Sequence, residues 1–192
     1  VSEPYPRRHD PTVLRAIAHP TRNRILHELE ASGSLRAADV ARLLDIPANQ
    51  ASFHLRQLAK YGLIEPAPDD ARDGRDRVWR VVDEGRLQLS LDEMLDAPGG
   101  PAAVKVWQRN ASGWAHQIVD EAYTLDRTPG VMRAITEQPL RLTRDEAKEL
   151  CERLDAVLQQ TLKEKRDADD DVDRSTYLFF SIMQPHPQRT GS

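Results

Sequence analysis

Residues 46–66, IPANQASFHLRQLAKYGLIEP, decide how the rest of the chain is read. From Pro47 to Lys60 the stretch carries Arg56, Lys60 and His54 but no carboxylate. The whole chain has 31 acidic and 27 basic side chains, so an acid-free run of this length points to a negative neighbour. Ala51, Leu55 and Leu58 recur at helical spacing and are expected to face a core. Asn49, Gln50, Ser52, Phe53 and Arg56 then lie largely on the other faces. Pro47 suits a helix start, where its missing N–H costs nothing, and Gly62 suits a helix end.

Working outward, "PTVLRAIA" begins a short helix with Val13, Leu14 and Ile17 on one side. Pro20 suits the first turn of a second helix, "TRNRILHELEASG", which puts Ile25, Leu26 and Leu29 on one face and stops at Gly33. Ser34 is expected to cap a third helix, "LRAADVARLLDI", with Leu35, Val40, Leu43 and Leu44 as its apolar set. Beyond the quoted helix, "LIEPAP" and "RVWRVV" read as two short strands, with Asp73-Gly74 as the turn signal between them. Two short helices with a tight connection, followed by a β-hairpin, make a winged helix-turn-helix.

Three pieces carry a further likeness: "LRAIAHPTRNRILHEL", "ADVARLLDIPANQASFHLRQLAKYGLIEP" and "DGRDRVWRVV". Together they resemble the winged-helix domain of ArsR-type bacterial transcriptional regulators, over roughly residues 11–83. The resemblance implies that residues of the quoted helix contact DNA and that the "GR" of the wing does so too. Phe53 departs from the family, where that position is more often polar or basic. Family members that sense metal through a Cys-x-Cys pair carry it in the helix before the recognition helix. The matching segment here, "AADVARLL", has no cysteine.

The residues themselves fit such a partner. A helix of about 14 residues is roughly 21 Å long and fits a major groove about 12 Å wide. Ala48 and its small neighbours let the backbone come close. Asn49 and Gln50 offer paired donors and acceptors to adenine, and Ser52 reaches a base edge or a phosphate. Phe53 can touch a thymine methyl. Arg56 and His54 are placed for phosphate or guanine, although His54 also suits packing. In the hairpin, Arg75 and Arg77 flank the turn and suit a minor groove or the backbone. Four aspartates nearly cancel the hairpin's arginines, so an ordinary solvated turn stays open. Trp79 is expected to pack the wing on the core.

The carboxyl half is less familiar. "LSLDEMLDAP" reads as a short helix and "AAVKVWQRNASGWAHQIVDEAYTL" as a long one. Trp107, Trp114 and Ile118 share one face of it, as a dimer contact or the wall of an effector pocket. His116 and Asp120, with Glu121 beside them, are weak candidates for zinc; an exposed polar face is the plainer reading. "VMRAITEQPLRL" has room for a strand. "LTRDEAKELCERLDAVLQQTLKEK" is the clearest helix, opened by a Thr143/Glu146 capping box and striped by Ala147, Leu150, Leu154 and Val157 or Leu158. Cys151 is expected to be a buried, inert thiol. "TYLFFSIMQP" reads as a buried strand.

The bulk properties agree with this layout. Net charge is −4, and 39% of residues are hydrophobic. Residues 1–83 hold 13 basic and 12 acidic side chains, and residues 84–192 hold 14 and 19. A single cysteine excludes an intramolecular disulfide. No apolar run reaches the roughly 20 residues of a membrane helix, and no phosphate loop, His/Glu metal motif or nucleophile elbow appears.

The expectation is therefore a mainly α, α+β protein. It has an arm at 1–10, a winged helix-turn-helix at 11–83, a helical dimerisation or effector region with α+β character at 84–185, and a loose tail at 186–192. It is expected to be a cytoplasmic, homodimeric repressor binding double-stranded DNA, without cofactor, metal or enzymatic activity. A small-molecule effector is a further expected partner. The rivals are a winged helix used for protein contacts and a small-molecule-binding protein built on the carboxyl half.

Overall fold

The computed structural model describes residues 11–70, 77–82, 91–125, 128–168 and 172–186. Its elements run α1 (Pro11–Ile17), α2 (Pro20–Ser32), β1 (Ser34–Arg36), α3 (Ala37–Leu44), α4 (Ala48–Lys60), β2 (Ile64–Pro66), a 3-10 turn at Pro68–Asp70, β3 (Val78–Val81), α5 (Leu91–Asp96), α6 (Gly100–Ala122) and α7 (Arg144–Arg166). The arm at 1–10, the turn at Asp73-Gly74 and the tail from 187 lie outside the described residues. The chain divides into two compact units, Val1–Ile135 and Thr136–Ser192.

In the first unit, Ile25, Leu26 and Leu29 of α2 bury against Val40 and Leu44 of α3 and against Ala51, Leu55 and Leu58 of α4. The spacing of these residues is that of one helical face, so packing rather than propensity fixes the three helices. Gly33 ends α2 at φ 82°, where a side chain would be strained, and its N–H reaches the Leu29 carbonyl at 2.9 Å. Between α3 and α4 the chain turns at Asp45, whose φ of 52° is left-handed. Aspartate tolerates that conformation better than most side chains. The Ile46 N–H then closes on the Ala41 carbonyl at 3.0 Å.

Residues 34–36 correct the third-helix expectation. Ser34 caps no helix; it opens β1, and Leu35 lies on a strand. Arg36 and Asp39 make the helix start instead, with the carboxylate accepting from the Arg36 backbone N–H at 3.2 Å and from its Nε at 2.9 Å. Those bonds hold the Asp39 carboxyl below the usual carboxylate range. Leu43, expected inside, is exposed. The strands form an antiparallel sheet in the order β1-β3-β2, with Leu35 opposite Trp79 and Glu65 opposite Arg80. Trp79 is buried in the helical core, so the sheet and the helices share one hydrophobic interior. The result is an α+β winged helix-turn-helix.

A second cluster joins α1 to α5 and α6: Leu14, Met94, Ala103 and Val104, with Trp107 packed on it. Gly100 comes so close to the Met94 carbonyl that a Cβ would lie 1.7 Å from its oxygen. Polar bonds finish the joint. Asn110 Nδ2 donates to the Ala18 carbonyl at 3.0 Å. Arg22 Nε donates to the Ala16 carbonyl at 2.6 Å and its Nη2 to the Arg15 carbonyl at 2.8 Å. A cation on the last carbonyls of a helix suits their partial negative charge.

The second unit holds α7, with its capping box formed: the Glu146 N–H reaches Thr143 Oγ1 at 3.2 Å and the carboxylate returns to the Thr143 N–H at 2.7 Å. No described residue of this unit is buried. The strand expected in "VMRAITEQPLRL" is absent among the described residues, and so is the buried strand at "TYLFFSIMQP". Both segments carry strand-forming side chains, but neither has a ladder partner among the described residues. Cys151 is exposed rather than buried.

Candidate nucleic-acid interface

α4 has a buried side and an exposed side. Ala51, Leu55 and Leu58 are fully buried. Ala48, Asn49, Gln50, Phe53, Arg56 and Lys60 are exposed, and Ser52 and Gln57 are half-buried at the border. The exposed side thus presents amides, a hydroxyl at its edge, an aromatic ring and two cations, with no carboxylate. Pro47 supplies no side-chain cap, and there is no acid in the first turn. The positive end of the helix dipole is therefore uncompensated by charge. Asn49 Oδ1 accepts the Gln50 N–H at 2.9 Å, which leaves the Asn49 amide nitrogen directed by that one bond.

His54 is corrected by its burial. It is 7% exposed, which removes it from the face that Asn49 and Arg56 share. Its ring lies 4.8 Å from that of His19 and 5.3 Å from that of Phe53, centroid to centroid. Its Nδ1 has no hydrogen-bond partner among the described residues. Burial pushes the His54 ring below the usual imidazole range, and the neighbouring His19 and Arg22 push the same way. His19 is lowered too, by desolvation and then by Arg22. Neither histidine's part in this contact was legible from spacing, because His19 precedes α2 and His54 lies on α4.

This pair makes stability depend on pH. Unfolded, His54 takes up a proton near its ordinary value, about 6.5; folded, it does so only at lower pH. The stability of the neutral ring is therefore complete above about pH 6.5 and is lost as pH falls from there toward the folded value. Urea midpoints measured from pH 7.5 to 5.5 are expected to fall, and to fall less in His54→Asn. Parallel curves for the two proteins would remove His54 as the cause.

On the wing side, Arg77 is exposed and its guanidinium lies 5.3 Å from the centroid of Trp79. That stacking fixes a cation beside the sheet. Arg75 lies outside the described residues. Arg80 is engaged: its Nε donates to Glu65 Oε1 at 2.9 Å across β3 and β2.

The candidates on α6 are placed differently from one another. Trp107 packs on the cluster under α1, and the Trp114 ring lies 6.2 Å from His27 of α2. Ile118 is half-buried. The two tryptophans thus spend part of their surface within their own unit. His116 Nδ1 lies 2.7 Å from the Ser112 carbonyl, one turn back, and Glu121 accepts from Gln117 at 2.8 Å. Among the described residues no three His, Cys, Asp or Glu side chains gather into a group that could hold a metal ion. Among the same residues no helix is long and apolar enough to cross a membrane.

A family model described as a helix-turn-helix domain matches residues 17–67, from the end of α1 to the residue after β2. Comparison with curated proteins gives no match. The matched span contains α2, α3 and α4, the helices that build and present the exposed face. It supports a DNA-binding regulator, and the matched family is one of DNA-binding domains rather than of enzymes.

Proposed function

We propose that the chain is a sequence-specific, homodimeric transcriptional regulator of the ArsR type, acting as a repressor on double-stranded DNA in the cytoplasm. The observation that carries this is the carboxylate-free exposed face of α4, held on a buried core next to a β-sheet wing. In this reading residues 47–60 enter the major groove, with Asn49 and Gln50 toward base edges, Ser52 and Phe53 at the groove wall and Arg56 on phosphate. Arg77, and Arg75 with it, meet the minor groove or the backbone from the wing. A two-fold pair sets its two helices about 34 Å apart, so the operator is a near-palindrome. The Trp107, Trp114 and Ile118 face takes an effector or a second subunit with whatever surface the unit leaves free.

Phe53 supports a rival reading. It is half exposed at the centre of the α4 face, where an aromatic ring also suits a protein partner. One measurement separates the two. Duplexes selected from a random pool are expected to bind ~10³-fold tighter than unselected DNA at physiological salt. Failure of the selection to enrich any inverted repeat would reject the DNA reading in favour of a protein partner.

A further inference from the structure

We infer that His54 is a positioning residue for the outer face of α4: seated against His19 at the start of α2, its neutral ring sets Phe53 toward the DNA, and a proton taken up there lowers DNA affinity. The inference rests on the DNA-binding reading above and adds a regulator of that face, the proton.

His54 is the one buried polar or charged side chain among the described residues. It lies between Ala51 and Leu55 on α4, both fully buried, and its Nδ1 has no hydrogen-bond partner there. A buried polar atom left unmatched is costly, so a position that served packing alone would be better filled by an apolar side chain. The ring's contacts say what else it serves. It meets His19 at 4.8 Å and Phe53, nearly edge-on, at 5.3 Å, centroid to centroid. Phe53 is half exposed on the face that carries Asn49 and Arg56. His54 therefore joins the start of α2 to an exposed ring of the recognition helix.

The α2 side of this joint is fixed. The His19 carbonyl accepts the Asn23 N–H at 3.0 Å as α2 begins. One residue earlier, the Ala18 carbonyl accepts from Asn110 of α6 at 3.0 Å. Arg22 gives its Nε and Nη2 to the Ala16 and Arg15 carbonyls, so its cation is held in place as well. What yields is the side that carries His54 and Phe53.

A proton on His54 has no acceptor waiting for it. The charged neighbours that act on the ring are His19 and Arg22, and both oppose a further positive charge. The nearby carboxylates are engaged elsewhere. Asp39 of α3 is held by Arg36 and Arg42, Glu65 of β2 by Arg80, and Glu28 of α2 acts on His27. Arg56 and Lys60 of α4 itself are exposed and add only positive charge. The imidazolium therefore leaves its seat for water, and Phe53 loses the ring it packs against. The interior around Ala51, Leu55 and Leu58 is close-packed, so the turn of the ring disturbs α4 beside it. The sign is distinctive. A proton that merely added charge to α4 would tighten its hold on phosphate, whereas this one weakens it.

The test uses the full chain, labelled with carbon-13 at histidine and phenylalanine, and the inverted repeat that the selection enriches. Three phenylalanines and six histidines keep the spectra assignable. In the free protein the Phe53 ring signals are expected to shift with the midpoint of the His54 titration, below about pH 6.5. Affinity for the repeat is expected to fall about 10-fold from pH 7.5 to 5.5 at constant ionic strength and unchanged far-UV dichroism, an ordinary size for coupling between two sites. His54→Phe keeps a ring in the seat but takes no proton. Its affinity at pH 7.5 is expected within about 3-fold of wild type, and the fall on acidification to be absent. A His54→Phe protein with the wild-type pH profile, or a wild-type affinity that rises as pH falls, would overturn the inference and leave the DNA reading standing. Phe53 signals indifferent to the His54 titration would overturn it too. If no repeat is enriched, the DNA reading fails, and the Phe53 signals alone decide whether His54 positions that ring. If His54→Phe does not fold, the wild-type affinities and the Phe53 signals decide.

Discussion

Exchanging Arg56 for glutamate is expected to lower affinity for selected DNA by on the order of 100-fold, with the urea midpoint of the protein unchanged. The side chain is exposed, and it makes no hydrogen bond or ion pair with another described residue. Its removal therefore takes no support from the fold. On the DNA side the exchange loses one phosphate contact and sets a negative charge against the backbone. Each phosphate contact adds about 0.9 to the slope of log affinity against log salt, so the slope should flatten by at least about that amount. Anisotropy titrations at four salt concentrations, with a denaturation curve for each protein, read both quantities. An affinity and slope equal to those of wild type would reject Arg56 as a phosphate contact. Loss of affinity with a lowered urea midpoint would mean that the residue supports the fold instead.

How much of this was legible in sequence depended on where each residue finds its partners. The α4 pattern was readable because both of its faces are set within one short stretch. Leu55 and Leu58 recur at helical spacing, and the polar positions fall between them. Pro20, Gly33 and the Thr143/Glu146 pair were readable for the same reason: caps are local chemistry. β1 was not readable. Ser34 and Leu35 suit a helix start as well as a strand, and only the pairing of Leu35 with Trp79, 44 residues on, decides between them. His54 sits one position from Leu55 on the helix, so spacing alone left it on either side; the ring of His19 decides. The second unit was misread in a consistent direction. Phe179, Phe180 and Ile182 have strand-forming side chains, and a sequence reading gives such residues an interior. Burial, however, belongs to an assembly of segments, and none of the described residues of this unit supplies that interior.

Leu55→Ala, one residue before Arg56, is expected to do the opposite of Arg56→Glu: to cost about 2–5 kcal/mol of stability and leave the affinity of the folded protein nearly intact. Leu55 is 0% exposed and packs in the cluster that holds α2, α3, α4 and Trp79 together. Truncation removes the transfer energy of three carbons and leaves a cavity that α4, pinned by Ala51 and Leu58 on either side, cannot close by sliding. Against a typical domain stability of about 5–15 kcal/mol, such a loss is a large fraction. It should appear as a lower urea midpoint at unchanged m, because the surface exposed on unfolding is nearly the same. DNA affinity measured at low temperature, where the variant is still folded, should stay within about 3-fold of wild type, since Asn49, Gln50 and Arg56 project from the other side of the helix. The two neighbours thus separate the helix's inner and outer work. If Leu55→Ala lost DNA affinity at full helicity, with a stability change under about 1 kcal/mol, the inner and outer faces of α4 would be wrongly assigned. The DNA reading of the outer face would then go with them.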